Sequence, residues 1–117
     1  MSKIKSDVAW VLKTISSKEL QDDYAKKIEF SIPAVIDELI CCWADDLYHP
    51  SASFFKDQFT SQEMVIFEEF NQIFNVYADE KSQKSWSKIM EAAKIALNKL
   101  QWDQKAYQSS DYFKNDS

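Results

Sequence analysis

Apolar residues recur three and four positions apart along almost the whole chain, and no stretch alternates like a half-buried strand. The spacing predicts an all-α protein. A first helix is expected over residues 7–15, with Ser6 as N-cap and Ile4, Val8, Val11, Leu12 and Ile15 on its inner side. Ser16 and Glu19 have capping-box spacing and open a second helix that reaches about residue 30, inward on Leu20, Tyr24 and Ile28. Neither glycine nor proline separates the two, so one bent helix also fits. Ser31 caps a third helix, with Pro33 tolerated in its first turn and Ile36, Leu39, Ile40, Trp43 and Leu47 as its inner stripe. Pro50 drives His49 away from helical angles, which stops this helix near Tyr48.

A loop over residues 49–53 leads into a short helical turn carrying Phe54, Phe55 and Phe59. Thr60 and Glu63 form a second capping box and start a helix to about residue 78, with Ile66, Phe67, Phe70, Ile73, Phe74 and Tyr77 inward. A polar turn over 79–85 precedes a last helix over 85–102, whose stripe is Trp86, Ile89, Met90, Ala93, Leu97 and Leu100. The expected architecture is a single-domain bundle of four to five main helices joined by short turns. Residues 1–102 form its body. Residues 103–117 are a polar tail whose Tyr107, Tyr112 and Phe113 suit docking onto that body.

Composition removes several classes of function. The 117 residues contain no glycine, so phosphate-cradling loops, dinucleotide fingerprints and the standard calcium loop are excluded. Every basic side chain is lysine, which leaves no arginine for bidentate phosphate or guanine contacts. The longest apolar run, over residues 39–44, is far short of the roughly twenty residues that span a bilayer. With no secretory signal pattern at the start, a cytoplasmic protein is expected. Adjacent Cys41 and Cys42 point about 100° apart on a helix, so thiols rather than a disulfide are expected.

Charge is unevenly spread. Residues 37–80 hold ten acids and one lysine, Lys56, whereas both flanking segments carry a small lysine excess. Such a middle repels nucleic acid and attracts a basic partner, although an ordinary solvated face has the same composition. Projected at 100° per residue, Glu38, Cys42, Asp45, Asp46 and His49 share one flank of the third helix. Cys42 and His49 are about 10.5 Å apart along that helix, too far for a catalytic dyad. One histidine and one thiol also fall short of a metal site. Glu68, Gln72, Asn75 and Asp79 line one outer flank of the long fourth helix. If the two helices lie side by side, the flanks join into one acidic surface. Tyr48 beside it is a candidate exposed anchor, and of Phe54 and Phe55, which cannot both face inward, Phe55 is taken as the second anchor.

These features describe a binding module without catalytic residues, cofactor or metal. Its size, helical class, mid-chain acidity and the run His49-Pro50-Ser51 followed by Ser53 resemble the small acidic immunity proteins that neutralise bacterial toxins. The likeness extends to both the colicin-nuclease and the contact-dependent growth-inhibition types. In the colicin-nuclease type a similar His-Pro-Ser-x-Ser stretch borders the toxin-binding surface, but the Tyr-Tyr-Pro that follows it there is replaced here by Phe54-Phe55-Lys56. The resemblance implies a basic toxin domain, a nuclease, as partner, with no direct nucleic-acid or membrane binding. A helical adaptor or self-associating structural protein is the alternative.

Overall fold

The computed structural model describes residues 3–80 and 82–102, and the tail expected at 103–117 lies outside them. Among the described residues every regular element is helical: α1 (Lys3–Ser16), α2 (Lys18–Ile28), α3 (Ile32–Cys41), α4 (Ser53–Lys56), α5 (Ser61–Tyr77) and α6 (Gln83–Leu100). A six-residue π-helical turn, Cys42–Leu47, extends α3. The radius of gyration, 13.5 Å, matches the ~13 Å of a compact chain of this size.

The first helix lies at the centre. It packs against α2, α3, the π turn and α6, and all its residues from Ser6 to Leu12 and from Thr14 to Ser16 are buried. Such all-round burial forces polar residues inside. Lys3 Nζ donates to buried Asp7 at 3.0 Å, and Thr14 Oγ1 donates to the Trp10 carbonyl at 2.8 Å. The expected start at Ser6 is therefore corrected: Ser6 and Asp7 lie within a helix that already begins at Lys3. Interior placement removes any need for a cap there.

The break between α1 and α2 falls at Ser17. Its hydroxyl accepts from Leu20 N–H at 3.2 Å, while Ser16 instead donates to the Lys13 carbonyl at 2.7 Å, so the first cap is displaced by one residue. The phase of α2 turns with it, leaving Leu20, Tyr24 and Ile28 half-buried and putting Gln21 and Ala25 inside. Burying Gln21 has a clear reason. Its Nε2 donates to the Thr14 and Ile15 carbonyls at 3.0 and 2.9 Å, acceptors at the end of α1 of which the first also takes the Ser17 N–H at 3.2 Å. Its Oε1 accepts from Trp86 Nε1 at 3.2 Å, tying α2 and α6 to the same point.

The caps of α3 and α5 fall where the sequence puts them. Ser31 accepts from Ala34 N–H, and both halves of the Thr60/Glu63 capping box are formed, at 3.1 and 2.8 Å. On α5, Ile66, Phe67, Phe70 and Phe74 are buried and Tyr77 is half-buried, but Ile73 is exposed because it sits on the outer edge toward α6. On α6, Met90 and Leu97 are half-buried, and the small residues Ala92, Ala93 and Ala96 make the close approach to α1 and α5.

A chain without glycine must end helices by other means. Glu29 and Gln101, the C-caps of α2 and α6, adopt left-handed backbone with φ of 57° and 51°. A Cβ there opposes the following carbonyl, at a cost of about 1 kcal/mol. Glu29→Gly and Gln101→Gly should each raise unfolding free energy by about 1 kcal/mol in urea titrations. A loss at either position would show that the side chain does something there beyond tolerating the angle.

Candidate functional site

The geometry of the site begins with Trp43. A straight α-helix would place Asp46, seven residues on, almost directly above Leu39 and therefore inside the protein. The wider π turn avoids this: Tyr48 N–H bonds back five residues to the Trp43 carbonyl at 2.8 Å. Trp43 and Leu47 then both point inward while Asp45 and Asp46 stay exposed. Cys42 is also buried: it follows buried Val35 by seven residues and turns inward with Val35 and Leu39, so it does not share the outer flank assigned to it. Trp43 is held by a hydrogen bond from Nε1 to Asn71 Oδ1 at 3.0 Å and by edge contacts with Phe67 and Phe70.

On the outside of this turn lies an acidic crest. Glu38, Asp45 and Asp46 are exposed, and together with Asp37 they surround the exposed thiol of Cys41. Partial loss of water around the sulfur raises the Cys41 thiol above its ordinary pKa, and the negative potentials of Asp45, Glu38, Asp37 and Asp46, in that order, raise it further. Four carboxylates thus act on one surface atom. Among the described residues, Glu38, Asp45, Asp46 and Asp79 make no ion pair with lysine.

The crest meets α5 through Tyr48, whose hydroxyl donates to Glu68 Oε2 at 2.6 Å. Glu68, Gln72, Asn75 and Asp79 are all exposed, and Asn71 on α5 receives the Trp43 bond. The structure therefore brings the end of α3 against the Glu68 end of this flank, while Asp79 stands about 16 Å further along, just past the end of α5. Neighbouring acids are engaged elsewhere. Glu69 pairs with Lys99 at 3.1 Å, and Glu80 accepts from Ser85 Oγ.

Both aromatic anchors are corrected. Tyr48 is only 8% exposed, its ring stacked on Trp43 with centroids 4.8 Å apart. Phe55 is fully buried between Tyr48, Phe59 and Phe67. The short α4 has too few residues to set its own phase, and this aromatic cluster sets it instead. Phe54 is the outward ring, 46% exposed and tilted against the His49 imidazole with centroids 5.6 Å apart. His49 Nε2 lies 2.7 Å from the Asp45 carbonyl, which fixes the ring at the end of the π turn beside the acidic crest. Phe54 and Asp37 are thus members of the surface that the candidate set omits. The adjacent Phe pair and the Asp37-Glu38 doublet are the only sequence signals for them.

Among the described residues no group of three His, Cys, Asp or Glu side chains converges as a metal site would require. None of their helices is long and apolar enough to cross a membrane. No protein-family model, curated protein or solved structure matches the chain.

Cys41 is a built-in reporter of the crest. Its alkylation by iodoacetamide near pH 8 should be slower than that of a free thiol, and Asp45→Asn with Asp46→Asn should accelerate it several-fold. Added salt should act in the same direction by screening the carboxylates. An alkylation rate unmoved by both changes would mean that these acids exert no joint potential. Tyr48 provides a second check. Burial and the Glu68 carboxylate raise its phenol pKa far above the ordinary value near 10. The folded state therefore keeps a proton that the unfolded chain releases, so this contribution is complete below pH 10 and falls as pH climbs toward the raised value. Tyr48→Phe should cost about 1 kcal/mol at neutral pH and flatten the alkaline decline, measured by urea unfolding from pH 8 to 11.

Proposed function

We propose that this protein is a single-domain helical binding module that neutralises a basic bacterial toxin domain, a nuclease, in the manner of an immunity protein. The observation that carries the reading is the crest on the π turn, where Glu38, Asp45 and Asp46 gather around Cys41 with no lysine partner among the described residues. A surface of one sign steers a cationic partner into encounter. Nucleases hold phosphate backbones and are commonly basic, which makes them suited to such a surface. Phe54 and His49 at the crest's edge supply the apolar and aromatic contact that prolongs a complex once charge has formed it. The role requires no catalytic chemistry, cofactor or direct contact with nucleic acid.

The joint variant Asp45→Asn, Asp46→Asn, Glu68→Gln and Asp79→Asn tests the proposal, since the amide introduced by Glu68→Gln still offers Tyr48 an acceptor oxygen. Tagged wild-type protein should retain a basic toxic domain from its native host in one-to-one proportion and rescue cells producing that domain. The variant should bind about tenfold or more weakly at low salt, with a flatter salt dependence. Equal affinity and equal rescue by the variant would reduce the crest to a solvated face.

A second reading, a self-associating or adaptor protein, is favoured by apolar residues on the outer side of α5 and α6. Val76 is 62% exposed and Ile95 46%, with Ile73 and Ile95 lining a shallow groove between the two helices. A molecular mass that rises with concentration and is restored to that of one chain by Val76→Ser would favour it.

A further inference from the structure

Of the seven large apolar side chains exposed among the described residues, four share one face of the molecule: Val65, Ile73 and Val76 on α5 and Ile95 on α6. On α5, Val65, Glu69, Ile73 and Val76 follow one another at four, four and three residues and form a single stripe. On α6, Lys84, Lys88, Ile95 and Lys99 are spaced by four, seven and four and form a second stripe beside it. The shallow groove lined by Glu69, Ile73, Ile95 and Lys99 runs between the two.

Charge is arranged at two levels around this apolar centre. At one level Glu69 pairs with Lys99 across the groove at 3.1 Å, both side chains being about half exposed. About 15 Å further along α5 stand the exposed Asp79 and Glu80, with the exposed Lys84 and Lys88 on the α6 side. The sign is the same way round at both levels, because α5 holds no lysine and α6 supplies the cations. A partner of one charge sign would meet a row of its own sign on this face. A second copy of this chain would not, since the face carries both signs in an order that complements itself.

Orientation follows from the same order. Turning the second copy about an axis parallel to the helices lays α5 of one protomer along α6 of its partner. Ile73 then meets Ile95, Glu69 lies over Lys99, and Lys88 lies over Asp79 and Glu80. Turning it about an axis across the helices lays α5 on α5, with Glu69 over Asp79 and lysine over lysine. We infer that this protein pairs with a second copy of itself through the α5/α6 face in the first of these arrangements. The result is a closed two-fold dimer in which four neighbouring helices alternate in direction. The inference rests on the self-association reading and names its face and its orientation. Tyr48 holds the acidic crest to the other side of α5, at Glu68, so pairing leaves the crest uncovered.

Sedimentation equilibrium of the full chain from micromolar to millimolar concentration reads the pairing. The mass should rise from that of one chain to twice that value and stop there. Ile95→Ser should raise the dissociation constant about tenfold or more. Glu69→Lys and Lys99→Glu should each do the same, with little change in the thermal unfolding of the dilute monomer, because the pair within one chain is exposed. An equimolar mixture of these two variants should pair at least as tightly as the unaltered chain, since each then sets opposite signs over the other. An effect confined to one chain cannot produce that rescue. A mass that stays at one chain throughout would overturn the inference and the self-association reading together. A doubled mass that Glu69→Lys leaves unchanged or tightens would place the contact on another face or in the other orientation, so the inference fails while self-association stands. A mass that climbs beyond two chains would mean an open assembly and also overturns the inference.

Discussion

The placement of Trp43 is the constraint on which the exposed acidic turn depends. Its indole is fully buried, its N–H is committed to Asn71, and its faces and edges are covered by Tyr48, Phe67 and Phe70. An indole so buried must satisfy its one donor, and Asn71 lies across the space between α3 and α5. Meeting that partner while keeping Leu47 inside and Asp46 outside is incompatible with a uniform α-helix. The π turn resolves the conflict by widening the coil, with its bonds reaching back five residues instead of four. The acidic crest, the His49 contact and the start of the following loop are all positioned by that adjustment.

The same logic operates around α1. A helix buried on all sides would strand its terminal carbonyls, and Gln21 is the residue that satisfies two of them while accepting from Trp86. Polar residues in this interior act as joints between helices. Because the joints are made by side chains of specific length and direction, the outer helices are fixed in rotation as well as position.

The all-helical class and most of the helix ends are legible in the sequence because caps and apolar periodicity are local signals. Ser31, Thr60 and Glu63 cap where their spacing says, and Phe67, Phe70 and Phe74 face inward as their periodicity requires. The failures share a cause in tertiary structure. Ser16 has the better local signal, a Glu19 at capping-box spacing, yet the cap is Ser17 because α1 continues through Ser16. Phe54 and Phe55 are chemically identical neighbours, and only the ring cluster of Tyr48, Phe59 and Phe67 selects which one is buried. Cys42 is misplaced because the buried face of α3 is centred on Val35, Leu39 and Trp43, while Ile36 and Ile40, expected inside, are only half-buried. Glu38, Asp45 and Asp46 nonetheless reach the surface, Asp46 only because the π turn carries it away from Leu39.

Acidity and apolar exposure need to be considered together. A solvated acidic face has no reason to border an apolar trough, because water already satisfies the carboxylates and gains nothing from adjacent isoleucines. Here Asp37 stands at the junction, lining a groove floored by Ile36, Ile40 and Trp86 while contributing to the potential at Cys41. Exposed apolar surface also carries a liability to nonspecific association, which a ring of like charges suppresses between copies of the same chain. The carboxylates therefore have opposite effects on two classes of visitor. On the proposed reading they repel another copy arriving with the same crest and favour a cationic partner.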